Sequence, residues 1–218
     1  MPEIEIREYV DARGRRAFSR WFDRLNATAA ARVTVTLARL EQGNLSNVKS
    51  VGAGVQECRI DFGPGYRIYF GRDGDTLIIL LCGGTKTKTT ARHRRRECAL
   101  ARIPAAEAER ELAMGLTQEF KSTVRARVQR DPAFREALLR DGVECLIGGD
   151  VETGKAVLRD YINATLGFEG LAALTDKSPK SLMRMFGPKG NPQARNLFEV
   201  IGCLQAREGV RLEVRAVR

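Results

Sequence analysis

Arg59 and Arg67 stand on either side of the tight sequence Gly63-Pro64-Gly65, and Lys86 follows the apolar run from Leu77 to Cys82. If the flanking segments VQECRIDF and YRIYFGR form a hairpin, alternation puts Arg59 and Arg67 on its polar face, where they can lie side by side. Two planar guanidinium forks with a lysine beside them match phosphate oxygens, so the chemistry indicated is a phosphate clamp that also stabilises developing negative charge. His93 is the single histidine of the chain, and its type of side chain suits proton transfer near neutral pH, which makes it the candidate base. Each assignment has a plainer competitor. Arg59 can pair with Glu57 or Asp61 as a surface ion pair, and His93 can be an inert member of a basic tail.

Composition narrows the classes. The 218 residues include 37 Lys and Arg against 27 Asp and Glu, and 43 % are hydrophobic, which is enough apolar material for packed cores. Residues 86–96, KTKTTARHRRR, hold six basic side chains and no acid. A run of that density is either a solvated tail or a contact for polyanion. No apolar stretch approaches the roughly 20 residues of a membrane span, and the N-terminal MPEIEIREYV lacks the apolar core of a signal peptide, so a cytoplasmic protein without membrane contact is expected. The five cysteines, at 58, 82, 98, 145 and 203, form no CxxC pair. With one histidine they argue against a zinc site and against disulfides; no metal and no cofactor is expected.

The elements that would position these residues follow from periodicity. Ile4 and Ile6 alternate as in a strand, Asp11 is a plausible N-cap, and Phe18, Trp21, Phe22 and Leu25 repeat at helical spacing. From Thr28, the series Ala29, Val33, Leu37 and Leu40 makes a second helix that stops at Gly43. An antiparallel meander then runs to Cys82, with Cys58, Ile60, Ile68 and Phe70 facing the helices. Tyr66 alternates with Ile68, so a place in the core is open to it. After about residue 103 the grammar turns helical, with Asp131-Pro132 and Ser178-Pro179 as helix starts and VRLEV as a closing edge strand.

Two short helices separated by residues 175–177, the second capped by Ser178, have the proportions of a helix-turn-helix. Here the stretch GFEGLAALTDKSPKSLMRMFGPKGNPQARNLFEVIGCL resembles the HigA-type antitoxins of the lambda-repressor-like group. The matching residues are Leu171-Ala172, Thr175, Ser178, Leu182, the Gly190-Asn191-Pro192 turn and the stripe Leu197, Val200, Ile201 and Leu204. The resemblance implies operator binding as a homodimer, with Ser178 orienting the reading helix. Lys180, Ser181 and Arg184 would then read bases, and Lys177, Lys189, Asn191 and Arg195 would contact phosphates.

The first half is similar to the RelE/ParE superfamily, in particular to HigB-like addiction-module killer proteins, through RIDFGPGYRIYF followed by LLCGGTK. HigB and RelE members cut mRNA on the ribosome, whereas ParE members poison gyrase; the resemblance leaves both open. For RNA cleavage the chemistry of the residues themselves makes Arg59, Arg67, Lys86 and His93 the candidate catalytic residues. Tyr66 and Tyr69 would stack a splayed base, and Lys88 and Arg92 would add contacts to RNA.

The expected fold class is therefore α+β. A RelE-like domain over residues 1–103, a small antiparallel sheet packed on a two-helix hairpin, is followed by a linker at 104–116. An all-α helix-turn-helix domain fills 117–218 and ends in a short strand. Toxin and antitoxin would share one chain, as if a two-gene operon had been joined ahead of Met114. The toxin half would be held inactive by its own antitoxin half or by that of a domain-swapped partner, and the partners outside the chain would be mRNA on the ribosome and operator DNA. The alternative is a DNA-binding regulator with a degenerate, non-catalytic toxin-like domain.

Overall fold

The computed structural model describes residues 4–52, 54–86 and 116–215. The chain divides into two compact units, Met1–Val124 and Arg125–Arg218. The expectation ended one domain at 103 and began the next at 117; residues 116–124 instead belong to the first unit, for reasons visible in its sheet.

In the first unit, strand β1 (Glu5–Val10) leads into helices α1 (Ala17–Asp23) and α2 (Ala27–Glu41). Asn26 caps α2 by accepting the Ala29 N–H at 2.8 Å. Asp11 does not cap α1, as the sequence suggested. Its carboxylate instead takes the N–H groups of Arg13 and Arg15 at 2.9 and 2.8 Å, which closes the turn ahead of the helix. The stripe Ala29, Val33, Leu37 and Leu40 is buried, and the helical hairpin covers the sheet.

Strands β2 (Val48–Gly52), β3 (Val55–Ile60), β4 (Tyr66–Asp73), β5 (Leu77–Thr85) and β6 (Leu116–Glu119) complete a six-stranded sheet in the order β2-β3-β4-β5-β1-β6. The meander is antiparallel as expected, but the sheet is not wholly so. Strand β1 pairs parallel with β5, from Glu5 opposite Leu77 to Glu8 opposite Leu80, because the two helices carry the chain back across the face before the meander begins. On its other side β1 pairs antiparallel with β6, Arg7 opposite Glu119 and Val10 opposite Leu116. Gly83 lets α1 close on β5: a Cβ there would stand 2.2 Å from the Trp21 ring.

In the second unit, α3 (Phe120–Arg130), which starts in the first unit, is followed by α4 (Pro132–Ile147), α5 (Val151–Ala164), α6 (Gly167–Ala172), α7 (Pro179–Met185) and α8 (Ala194–Glu208). Asp131 caps α4 through the Phe134 N–H at 3.1 Å, with Pro132 in the first turn. Phe134, Leu138, Leu158, Tyr161, Leu182, Phe186, Val200 and Leu204 fill the core. The closing strand expected at VRLEV does not form. Gln205 accepts the Leu212 N–H at 2.7 Å, so the side chain takes a donor that a strand partner would need. An antiparallel-rich sheet followed by a helical region makes the fold α+β, as the sequence indicates. The expectation about disulfides fails at one position: Cys58, Cys145 and Cys203 are free thiols, whereas Cys82 is disulfide-bonded.

Candidate functional site

Arg59 on β3 stands directly opposite Arg67 on β4, and two residues back along β3 Glu57 stands between Lys49 on β2 and Tyr69 on β4. Alternation brings these side chains to one face, and the Gly63-Pro64-Gly65 turn holds the two arginine strands together. Gly63 and Gly65 both have positive φ, 54° and 73°, which the turn requires and glycine adopts without strain. The Lys86 N–H donates to the Gly65 carbonyl at 2.8 Å, so the exposed Lys86 is fixed beside the turn between the two arginine strands. The structure thus brings Arg59, Arg67 and Lys86 into one neighbourhood.

The arginines do not stand alone there. Glu57 Oε1 accepts Arg67 Nη1 at 2.7 Å and Arg59 Nε at 3.0 Å, with Lys49 Nζ at 3.7 Å, and Oε2 accepts the Tyr69 hydroxyl at 2.9 Å. Burial pushes the Glu57 carboxyl up, but hydrogen bonds from Arg59 and Tyr69 and the charges of Arg67 and Lys49 outweigh it, and hold it below the ordinary carboxylate value. The side chain of Glu57 is 4 % exposed, against 15 % for Arg67 and 45 % for Arg59. One carboxylate therefore fixes two guanidinium groups from beneath. An arginine has five N–H donors, and Glu57 takes one from each, so donors for a ligand remain within the pair. Three cations around one buried anion leave a local positive excess.

Sequence reasoning weighed Glu57 only as a competitor for Arg59. The signal was present: Glu57, Arg59 and Asp61 alternate on one face, and Glu57 falls opposite Tyr69 once the hairpin is centred on Gly63. Beside Arg59 a cleft of about 330 Å³ is lined by Arg32, Arg39, Asn47, Asp61 and Phe62, with the Arg32 guanidinium 5.8 Å from the Phe62 ring centre.

Two expected residues occupy other places. Tyr66 is buried on the helix side, its ring edge-on to Trp21 at 6.4 Å. Tyr69 packs with Val55, Ile79, Leu81 and Cys82, because the register slips between Tyr69 and Phe70, where Leu81 is the extra residue of a bulge. Neither ring offers a face to a base; Tyr69 contributes its hydroxyl instead. Lys88, Arg92 and His93 lie outside the described residues. Among the described residues no group of His, Cys, Asp or Glu side chains is arranged to hold a metal ion.

In the second unit, Ser178 caps α7 by accepting the Ser181 N–H at 3.2 Å. The helix buries Leu182 and Met185 and leaves Lys180, Ser181 and Arg184 exposed. Lys177 pairs with Glu199 of α8 at 2.6 Å. The turn carrying Lys189 and Asn191 is pinned from within, as the buried Lys155 of α5 donates to the Gly190 carbonyl at 2.5 Å. Only glycine fits there, since a Cβ would lie 2.3 Å from the Arg184 carbonyl oxygen. Lys189, Asn191 and Arg195 are exposed around that turn.

Residues 20–104 match the family of phage derived protein Gp49-like (DUF891) sequences. An uncharacterized protein of Haemophilus influenzae is 44 % identical over 71 residues, which cover 32 % of this chain and 72 % of the relative. No solved structure matches the chain significantly. The matched segment contains the arginine pair, the Gly63-Pro64-Gly65 turn and Lys86, and through it the chain belongs to the phage-derived Gp49-like (DUF891) family, a HigB/RelE-like toxin family.

Proposed function

We propose that the first unit is the toxin of a type II toxin–antitoxin module, a ribosome-dependent mRNA endoribonuclease. The second unit is its HigA-like antitoxin, which holds the toxin inactive and binds operator DNA to repress transcription. The observation that supports the nuclease is the register pair Arg59 and Arg67 with Lys86 at the adjoining turn. In this reading the 2′-hydroxyl loses its proton to a base and its oxygen attacks the adjacent phosphorus. The bond to the 5′-oxygen then breaks and that oxygen takes up a proton, leaving a cyclic phosphate and a 5′-hydroxyl. Arg59, Arg67 and Lys86 stabilise the charge that gathers on the phosphorane. His93 is the base by its chemistry, whereas Glu57, held ionised and engaged by two arginines, is a positioning residue. The cleft lined by Arg32, Arg39 and Phe62 continues the basic surface along which a single strand would pass.

In the second unit, Lys180, Ser181 and Arg184 face bases from the exposed side of the capped α7, and Lys177, Lys189, Asn191 and Arg195 face phosphates. Tethering places inhibitor and target at an effective concentration on the order of millimolar, so the intact chain is silent.

One observation favours a second reading, a DNA-binding regulator whose toxin-like unit is not catalytic. Glu57 already occupies the arginines, and both tyrosines are packed away. Expression of residues 1–124, with sequencing of mRNA 5′ ends in translating cells, separates the two. Cuts within reading frames that vanish in Arg67→Ala support the nuclease; no cuts and no growth arrest support the regulator.

A further inference from the structure

The Gp49-like match ends at residue 104, before β6 begins, yet residues 116–124 complete the first unit. Without β6, the outer edge of β1 would present an unpaired row of N–H and C=O groups. Strand β6 covers it over Arg7–Val10, and the start of α3 fills the ground behind it. Phe120 is 4 % exposed and meets the buried rings of Phe18 and Phe22 edge-on, at 5.6 and 5.5 Å. The hydroxyls of Thr123 and Ser19 both donate to the carboxylate of Glu8, which is wholly buried, and Arg16 Nη1 donates to Thr123 Oγ1 at 3.4 Å. Lys121 pairs with Glu41 of α2 at 3.5 Å.

We propose that residues 116–124 are a docking clip: a strand-then-helix segment of the antitoxin-like half that augments the β1 edge and is anchored by Phe120 and Thr123. The partner chemistry that this surface fits is an extended strand followed at once by an aromatic residue and, three positions on, a hydroxyl. In this chain the occupant is its own segment 116–124. The name antitoxin-like rests on the toxin–antitoxin reading; the docking itself does not. In the sheet order β6 lies three strands from β4, about 14 Å at about 4.8 Å per strand. The clip therefore anchors without covering Arg59 and Arg67, so holding the toxin and blocking its site are separate tasks.

The test uses the full chain. In Phe120→Asp, hydrogen exchange at Leu116–Glu119 should accelerate by about tenfold or more while β3, β4 and β5 keep their rates, as for a locally opening segment. A labelled peptide of residues 116–130 should bind this variant at least about tenfold more tightly than the unaltered chain, whose edge is filled in cis. Exchange that rises across the whole sheet, or a peptide that fails to prefer the variant, overturns the proposal. If Phe120→Asp does not fold, Thr123→Ala gives the same comparison with a smaller change. Preference of the peptide for neither chain, but exchange of subunits in a mixing experiment, would assign the edge to a second copy and overturn the cis clip. None of these readouts requires nuclease activity, so an inactive first unit leaves the clip standing, and a failed clip leaves the nuclease standing.

Discussion

Arg67 donates to Glu57 across the β3–β4 pair at 2.7 Å, and the carboxylate that receives it is almost wholly buried. The contact ties the arginine to the sheet while sharing its charge, so any phosphate that binds here competes with a fixed carboxylate. On the nuclease reading, the affinity of the site for RNA then depends on this acid as well as on the two arginines.

Single-stranded RNA binding by the first unit should therefore respond to both partners in opposite senses. Each phosphate contact contributes about 0.7 to the slope of log affinity against log salt. Arg67→Ala should make that slope shallower by about 0.7 and weaken binding. Glu57→Gln, which removes the competing charge and keeps an acceptor, should steepen it by a similar amount. Fluorescence anisotropy across a salt series reads both, and equal slopes in the two variants would contradict the shared-charge account.

Stability should depend on pH through two buried acids of opposite sign. Burial raises the Glu8 carboxyl above its ordinary value of 4.5, against hydrogen bonds from Ser19 and Thr123. The native state then holds the extra proton, so the Glu8 contribution falls as pH rises from about 4.5 through the raised value. Glu57 is held below 4.5. Its contribution is present above that value and is lost as pH falls through the lowered one. Urea midpoints between about pH 3 and about pH 8 should show a flatter neutral side in Glu8→Gln and a flatter acid side in Glu57→Gln.

Gly83→Ala should destabilise the first unit by about 1–3 kcal/mol, the usual range for overpacking, because its Cβ would stand 2.2 Å from the Trp21 ring. Urea denaturation checks this. A wild-type midpoint would mean that Trp21 moves aside at no cost.

For the second unit, Arg184→Ala should cost about 1–3 kcal/mol against the operator and little against random DNA. Lys189→Ala should weaken both alike and lower the salt slope by about 0.9. Filter binding to the chain's own upstream DNA distinguishes the two; unchanged operator affinity in Arg184→Ala would remove α7 as the reading helix.

Much of this arrangement was legible from residue types. The hairpin around Gly63-Pro64-Gly65 follows from alternation and turn chemistry, and the same alternation puts Arg59 beside Arg67. The caps Asp131 and Ser178 and the stripe Val33, Leu37, Leu40 follow from local rules as well. What local patterns could not show was pairing between distant segments. The parallel match of β1 with β5 depends on contacts across 72 positions and the addition of β6 on contacts across more than a hundred, and residues 116–124 look like the start of a helix when read alone. The burial of Tyr69 was hidden by the bulge at Leu81, which breaks the period that sequence reasoning extends. Glu57 was visible as a neighbour of Arg59 but not as the centre of four side chains, since that role arises only when three strands align.

The most direct measurement is mRNA cleavage on translating ribosomes by residues 1–124, with 5′ ends mapped for the unaltered unit and for Arg59→Ala and Arg67→Ala. The account predicts cuts within reading frames that fall by about 100-fold or more in Arg67→Ala, the scale of losing one stabiliser of transition-state charge. Cleavage that persists at the unaltered rate in both arginine variants would contradict it.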